Sequence, residues 1–242
     1  MDLNSFISAL EYYKRLPVYV KSLFPALRLG LLKYLYKFEG YLSLPEALYL
    51  YRASLSLPKS PVIVELGCYK GLSTAILLSA LRKKKGFLYS IDTFDDYNAS
   101  CRKIISGYKN KRFRSSELSL LGSKVALGNV YQNLRSQGFS RFKLMAGYSF
   151  EWSRKWKGKI DMLFIDAGHG YGEVKRDFLE WSKFIKKGGI IAFHDANNTR
   201  KTPYWRLGWE GPTRVFEKYV LKGRNWKVLE RVESLAIARK IS

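Results

Sequence analysis

The chain of 242 residues is 47% hydrophobic, which excludes a wholly disordered protein and allows one well-buried domain with an appendage or two small domains. Its 43 Lys and Arg residues outnumber 20 Asp and Glu residues, giving a formal net charge of +23. That charge indicates attraction to polyanions such as nucleic acid, anionic lipid, acidic glycan or a phosphorylated substrate, although a solvated lysine-rich surface without a partner would have the same composition.

The N-terminus and the two cysteines predict a cytoplasmic protein. The first residues include an early acidic side chain and no uninterrupted apolar core, so they do not resemble a signal peptide. No run approaches the roughly 18 apolar residues of a membrane-spanning helix. Cys68 and Cys101 form no disulfide framework and fit a reducing compartment. We therefore expect a protein that touches a membrane at most peripherally.

Residues 1–58 predict a helical N-terminal extension. Short amphipathic segments are interrupted here by Pro and Gly, and residues 26–38 space leucines and aromatics at three and four, with basic residues between them. Such a stripe most often packs on the neighbouring domain. The alternatives are a lid, a contact in a homo-oligomer, or a basic amphipathic helix lying on a membrane surface.

Residues 59–242 predict a single α/β domain, because strand patterns alternate with helix patterns. Short apolar runs predict parallel strands at 61–67, 86–94, 141–149, 159–168 and 190–196. Helical spacing predicts helices at 72–84, 115–138, 172–189 (ended by its two glycines) and 211–223. Two final strands, 226–232 and 234–241, should pair antiparallel. The expected fold is a doubly wound, mostly parallel seven-stranded sheet with helices on both faces.

A glycine-containing turn follows the first predicted strand and precedes a helix. In "ELGCYKGLST", Glu65 ends the strand, and Gly67 and Gly71 let the backbone approach a ligand near the free N–H groups of the helix. This spacing is not that of the pyrophosphate-binding Gly-x-Gly-x-x-Gly motif, and by itself it is a weak signal. Asp92 ends the second strand, where a carboxylate can bind a ribose diol. Together, the turn and the acid favour a ligand that contains adenosine.

Five stretches carry a family resemblance. "VELGCYKGLST", "YSIDTF", "AGYS", "DMLFIDAGHGY" and "GGIIAFHDAN", in this order, resemble the class I S-adenosylmethionine-dependent methyltransferases, over roughly residues 60–242. The resemblance implies the Rossmann-like methyltransferase fold, with its antiparallel last strand. It also implies that the methionine end of S-adenosylmethionine is lined by Glu65, Gly67, Tyr69, Gly71 and Ser73. Asp92 would hold the ribose, and Ser149 would lie near the adenine.

Both histidines of the chain stand beside carboxylates at predicted strand ends. Asp166 ends the fourth strand, His169 follows one turn later, and His194 and Asp195 end the fifth. Carboxylates with one imidazole suit Mg²⁺ or Mn²⁺. Either histidine alone would more often be a turn cap or a satisfied strand-end residue, but their convergence favours a site.

The same corner is similar to the metal-dependent small-molecule O-methyltransferases, including those that methylate sugar hydroxyls. The resemblance implies that Asp166, His194 and Asp195 bind the divalent ion and that His169 is the base. That family more usually has an acidic residue where this chain has His194. The implied reaction is methyl transfer to a hydroxyl of a sugar or other small polyol or phenol.

The acceptor is the least determined feature. Residues 101–160 contain fourteen Lys or Arg against Glu117 and Glu151, with aromatics between them, a pattern that fits nucleic acid or an acidic glycan. Trp205 and Trp209 are candidates to contact the acceptor. An RNA methyltransferase, a non-catalytic basic binding protein on the same fold, and a hydroxylase or other sugar-modifying relative remain as alternative functions.

Overall fold

The computed structural model describes residues 28–95, 115–197 and 208–242, together with positions 23, 25 and 26; for 115–122 it describes the backbone alone. The first 22 residues, Cys101 and Trp205, which carry some of the predictions, lie outside the described residues. Among the helices of the described residues, none is long and apolar enough to cross a membrane.

Seven strands form one sheet in the order β3-β2-β1-β4-β5-β7-β6. Their bounds are Val62–Leu66 (β1), Phe87–Asp92 (β2), Phe142–Ala146 (β3), Ile160–Ile165 (β4), Ile185–Phe193 (β5), Trp226–Val232 (β6) and Leu235–Lys240 (β7). Strands β1 to β5 run parallel, and β7 pairs antiparallel with both β5 and β6. All six residues of β4 are buried, because helices cover both faces of the sheet. The predicted fold class is confirmed.

The helices pack on the two faces of this sheet. They are Leu32–Lys37 (α1), Leu44–Leu55 (α2), Leu72–Arg82 (α3), Ser115–Ser136 (α4), Ser149–Lys155 (α5), Tyr171–Trp181 (α6) and Glu210–Val215 (α7), the last continuing as a π-helical turn at Phe216–Leu221. One hydrophobic cluster contains residues of α1, α2, α3 and α4 and of one face of the sheet. A second cluster contains residues of α6 and α7 and of the other face.

The described part of the N-terminal extension belongs to the first of these clusters. Leu31, Leu48 and Leu50 are fully or almost fully buried, and they pack with residues of α3 and of the central strands. Helix α2 begins with a capping box, in which the Ser43 hydroxyl and the Glu46 carboxylate accept each other's backbone N–H groups. The extension therefore contributes to the core of the domain.

Two local predictions differ from the structure. Helix α6 ends at Trp181, and Gly188 and Gly189 lie inside β5, where the pairing with β4 shifts register, so these glycines do not end the helix. Glycine inside a strand often marks such an irregularity. Helix α5 was not predicted, because its seven residues are too few for a helical period to be distinguished from the end of a strand.

Candidate active site

A cavity of about 1180 Å³ opens where the parallel strands end. The predicted cofactor-binding residues that line it are Gly67, Tyr69, Ser73, Asp92 and Ser149. The residues predicted for the ion and the base also line it: Asp166, His169, His194 and Asp195. The two remaining predicted cofactor residues, Glu65 and Gly71, are not among its lining residues. Topology explains the convergence, because the carboxyl ends of parallel strands meet at one edge of the sheet.

The turn after β1 needs glycine for a steric reason. Gly67 has φ of +86°, and a Cβ atom there would lie 2.1 Å from the backbone oxygen of Asp166. Gly71, with φ of +94°, precedes the first turn of α3. Tyr69 also has a positive φ, of +47°, which is uncommon for a residue with a side chain. The turn thus lies directly against the end of β4, where the candidate ion site begins.

Asp92 fixes this turn to the end of β2. Its Oδ2 atom accepts hydrogen bonds from the backbone N–H groups of Cys68 (2.7 Å) and Tyr69 (2.9 Å). Its Oδ1 atom accepts one from the N–H of Phe94, at 2.7 Å. A carboxylate that accepts several backbone hydrogen bonds is held in one orientation. Asp92 therefore shapes the pocket as well as lining it.

Glu65 lies beneath the turn and is fully buried. Its Oε2 atom accepts hydrogen bonds from the hydroxyls of Thr74 and Ser90, both at 2.7 Å, while Oε1 has no partner among the described residues. Burial raises the pKa of Glu65 to about 7, and the hydroxyl hydrogen bonds oppose this only in part. Its position is that of a support for the turn and for the start of α3.

Ser149 begins α5 on the far side of the cavity. Its hydroxyl donates to the Asp177 carboxylate, and the Trp181 indole N–H donates to its carbonyl at 3.3 Å. Burial raises the pKa of Asp177 to about 6. These contacts tie α5 to α6.

Asp166, His169 and Asp195 bring their ligand atoms together at the other end of the cavity. One ligand atom from each lies within 4.8 Å of the other two. His169 Nε2 lies 3.0 Å from Asp195 Oδ2, yet it is buried without a partner in hydrogen-bond geometry. The His169 ring also stacks on Trp209, with centroids 5.0 Å apart and planes 19° apart. Asp195 has a positive φ, of +56°, a conformation that tends to be retained where function requires it.

His194 lies behind these groups, with only 5% of its side chain exposed. Its Nδ1 atom is 3.0 Å from Asp166 Oδ1 and 3.4 Å from Asp195 Oδ2. Its Nε2 atom is 3.5 Å from Glu46 Oε2. Burial opposes the charge of the ring, but the three carboxylates outweigh it and raise the pKa of His194 well above its ordinary value.

Glu46 reaches this site from α2, and no sequence pattern predicted its presence there. Its Oε1 atom accepts hydrogen bonds from the Ser234 backbone N–H (2.9 Å) and hydroxyl (2.7 Å). Burial alone would raise the pKa of Glu46, but the hydrogen bonds and charge of His194, with those of Ser234 and Ser43, lower it to about 2. The capping box explains Glu46 locally; its contact with a residue 188 positions later depends on the tertiary fold.

Burial also opposes ionisation of Asp195, but the imidazoles of His169 and His194 lower the pKa of this carboxyl well below its usual range. Asp195 is therefore a carboxylate at all physiological pH values. With Asp166, it gives the site two carboxylates beside the orphaned Nε2 atom of His169, a donor set that suits a divalent cation.

Comparison with known proteins gives the family. A family model described as a methyltransferase domain matches residues 64–196, which is more than half of the chain. The chain belongs to this family of methyltransferase domains. The match runs from β1 to the end of β5, so it includes the glycine turn, Asp92, Asp166, His169, His194 and Asp195. The family resemblance expected from the sequence is confirmed, and the protein has a methyltransferase domain.

One curated protein is similar in sequence over a short stretch of the chain. The methyltransferase is 46% identical over 44 residues to an uncharacterized protein, R132, of Acanthamoeba polyphaga mimivirus. The match spans 18% of this chain and 20% of the viral protein.

Solved structures share the fold across most of the chain. The O-methyltransferase NovP superposes with a TM-score of 0.55 at 10% identity, over 81% of this chain and 79% of that one. TomG, an O-methyltransferase from Streptomyces achromogenes involved in tomaymycin synthesis, gives 0.55 at 16% identity, over 84% and 82%. An rRNA methylase from Streptococcus thermophilus gives 0.50 at 13% identity, over 79% and 94%. At these identities the similarity concerns the fold alone.

The residues of the cavity fit the cofactor of this family. The glycine turn leaves no room for a Cβ atom at Gly67, so backbone alone borders the cavity there. Tyr69, Ser73, Asp92 and Ser149 supply polar groups along the same wall. The cavity is large enough for a drug-sized ligand and a second, smaller molecule, since such pockets usually measure about 300–1,000 Å³.

Proposed function

We propose that this methyltransferase transfers a methyl group from S-adenosylmethionine to a hydroxyl of a sugar or other small polyol or phenol, assisted by a divalent metal ion. The observation that carries the proposal is the convergence of Asp166, His169 and Asp195 beside the cofactor turn. S-adenosylmethionine supplies an electrophilic methyl group on its sulfonium sulfur. A divalent ion supplies a positive charge that lowers the pKa of an acceptor hydroxyl and fixes its position.

Asp166 and Asp195 are the proposed ligands of that ion, which is Mg²⁺ or Mn²⁺ by donor type. The resemblance also assigned His194 to the ion. In the structure, His194 Nδ1 lies 3.0 Å from Asp166 Oδ1 and Nε2 lies 3.5 Å from Glu46 Oε2, and His194 is not one of the three residues whose ligand atoms converge. The proposal therefore gives His194 the role of a positioning residue that holds the two carboxylates, and leaves the ion to Asp166 and Asp195.

His169 is the proposed base. Its ring lines the cavity, and its Nε2 atom, which has no hydrogen-bond partner, lies next to Asp195. A neutral imidazole can accept the proton that the acceptor hydroxyl loses, and the neighbouring carboxylate stabilises the imidazolium that results. Trp209, stacked on His169 and 59% exposed, offers its outer face to a ring-shaped acceptor.

Thermal unfolding with S-adenosylmethionine, with Mg²⁺ and with both tests this proposal. Ligand at about 100 times its Kd should stabilise the protein by about 2.7 kcal/mol, a rise of about 5–10 °C in Tm. Asp166→Asn should keep the cofactor shift and lose the additional shift with Mg²⁺. Glu210→Gln, which alters an exposed carboxylate beside Trp209, is the matched control and should keep both.

His169→Asn separates the role of base from that of ion ligand. If His169 is the base, this variant keeps both thermal shifts while methyl transfer falls by about 10²- to 10⁴-fold. Loss of the Mg²⁺-dependent shift would instead make His169 the third ligand of the ion. Methyl transfer that survives chelation and requires RNA would replace the proposal with the RNA methyltransferase alternative. A protein that binds the cofactor but transfers nothing would favour the non-catalytic alternative.

A further inference from the structure

The edge of the sheet opposite the cavity collects positive charge. The five parallel strands begin there, in the segments 58–63, 83–88, 139–143, 157–161 and 183–188. These segments contain one carboxylate, Asp161. Their eleven cationic residues are Lys59, Lys83, Lys84, Lys85, Arg141, Lys143, Lys157, Lys159, Lys183, Lys186 and Lys187.

Strand pairing sets six exposed members of this group in a row. We call them the basic edge: Arg141, Lys85, Lys59, Lys159, Lys186 and Lys187. Neighbouring starts are linked by hydrogen bonds from Arg141 Nη1 to the Lys85 carbonyl (3.3 Å) and from the Ser60 N–H to the Lys84 carbonyl (2.8 Å). Because neighbouring strands lie about 4.8 Å apart, the beginnings of the five strands span about 19 Å, and the side chains extend this distance further.

The single carboxylate does not neutralise this row. Asp161 is 3% exposed, and its two oxygens accept hydrogen bonds from the Val62 N–H and from Lys186 Nζ, both at 2.8 Å. The other cations of the basic edge have no carboxylate partner among the described residues. At the opposite edge, by contrast, seven carboxylates line the cavity: Glu46, Asp92, Asp166, Glu173, Asp177, Asp195 and Glu233.

We propose that the basic edge binds the sugar-phosphate backbone of a double-helical nucleic acid. A row of lysines engages phosphates as point charges, without reading sequence. The duplex is favoured over a single strand because single-strand sites use aromatic side chains on which bases stack. Here the nearby rings are half-buried or buried and pack on one another: Trp156 lies 4.8 Å from Tyr89 and 5.5 Å from Trp181, between ring centroids.

Two other polyanions fit this surface less well. A sugar chain would also stack its rings on exposed aromatics, which the basic edge does not offer. An anionic membrane is usually met by exposed apolar side chains that enter the lipid next to the cations. None of the large exposed hydrophobic residues of the described chain lies in the five segments; Ile241, just after β7, stands beside them.

Nucleic acid bound at this edge is not the methyl acceptor of the cavity. Strands of five or six residues separate the two edges by about 17–20 Å. The basic edge would anchor the enzyme on a duplex while the cavity at the other end of the strands stays open. It therefore does not depend on the proposed reaction, and each can fail without the other.

The test is the salt dependence of binding to a fluorescently labelled 20-base-pair RNA duplex, for the full chain between 50 and 200 mM NaCl. A variant with Lys59→Gln, Lys85→Gln, Lys159→Gln and Lys187→Gln removes four cations of the basic edge. Since each phosphate contact contributes about 0.9 to the slope of log K against log salt, the loss of four contacts should reduce the slope by about 3.6, and affinity at 0.1 M salt by about 100-fold or more.

A matched variant removes the same charge elsewhere, with Lys33→Gln, Lys37→Gln, Lys124→Gln and Lys218→Gln. It should change the slope by less than one, and both variants should keep the wild-type thermal shift with S-adenosylmethionine. Equal weakening by the two variants would overturn the proposal in favour of diffuse net charge. Tighter binding by the wild type to the single strand, to heparin or to phosphatidylserine vesicles than to the duplex would overturn the assignment of the partner.

Discussion

Glu65, beneath the glycine turn after β1, is completely buried, and its Oε1 atom has no hydrogen-bond partner among the described residues. Its raised pKa of about 7 means that the folded protein holds a proton that the unfolded chain releases near pH 4.5. The favourable contribution is therefore complete below about pH 4.5 and is lost as pH rises through 7. A difference of this size corresponds to about 3 kcal/mol.

We expect Glu65→Gln to remove this dependence, because the amide keeps the shape of the side chain and cannot ionise. Relative to the wild type, its free energy of unfolding should increase between pH 5 and pH 8. Urea unfolding of the ligand-free protein at several pH values measures this difference. A difference between the two proteins that stays constant with pH would contradict the assignment of the raised pKa to Glu65.

At the scale of single elements, helix α2 connects the N-terminal segment to the edge of the sheet where the cavity opens. Glu46 is the third residue of that helix, and its carboxylate joins Ser234, after β6, to His194, after β5. Glu46→Gln should cost about 1–3 kcal/mol, since it weakens a buried set of hydrogen bonds to a charged partner. It should also weaken the Mg²⁺-dependent thermal shift, because His194 would no longer be held against Asp166.

Glu39→Gln serves as the control for that experiment, since Glu39 precedes the same helix but is 74% exposed at its side chain. Its thermal stability and its response to Mg²⁺ should match those of the wild type. If Glu46→Gln also matched the wild type in its response to Mg²⁺, the link between α2 and the ion site would be disproved.

What the sequence could predict differs between elements for physical reasons. The strands β1, β2 and β4 and the second half of β5 were predictable because each is a short, largely buried apolar run, and the glycine turn or carboxylate at its end is where the candidate site lies. Gly188 and Gly189 led to the wrong prediction of a helix end, since glycine occurs both after helices and in irregular strands. Only the pairing with β4 distinguishes these two cases. Glu46 was beyond prediction, because its role rests on contacts with residues far away in the chain.

The two histidines show the same limit within the site. Their positions beside carboxylates at strand ends were readable, and the structure brings both to one end of the cavity. Their exposure could not be predicted from the sequence. The His169 side chain is 37% exposed, while that of His194 is 5% exposed and lies near three carboxylates. Roles for either residue therefore remain predictions that the experiments above address.

At the scale of the whole molecule, the described part of the N-terminal segment shares one core with the methyltransferase domain. Tyr34, Leu48 and Tyr51 are almost completely buried in the cluster that also contains α3. Deleting residues 1–58 would expose the apolar side of α3 and remove Glu46, one of the three carboxylates around His194. We expect the remaining chain to lose cooperative unfolding, as measured by circular dichroism and calorimetry. A truncated protein that melts cooperatively near the wild-type temperature would support residue 58 as a domain boundary.

Gly208 and Trp209 lie against Asp195, which comes shortly before them in the chain. The Trp209 N–H donates to the carbonyl of Asp195 at 2.9 Å, and a Cβ atom on Gly208 would lie 2.3 Å from that same oxygen. Asn197 is tied down on the other side by its side-chain hydrogen bond to the Glu233 carbonyl, at 2.6 Å. Asn197 and Gly208 are thus each fixed by contacts within the described part of the chain.

Substitutions within residues 198–207 that keep Asn197, Gly208 and Trp209 should therefore leave Asp195 and the other carboxylates of the site in place.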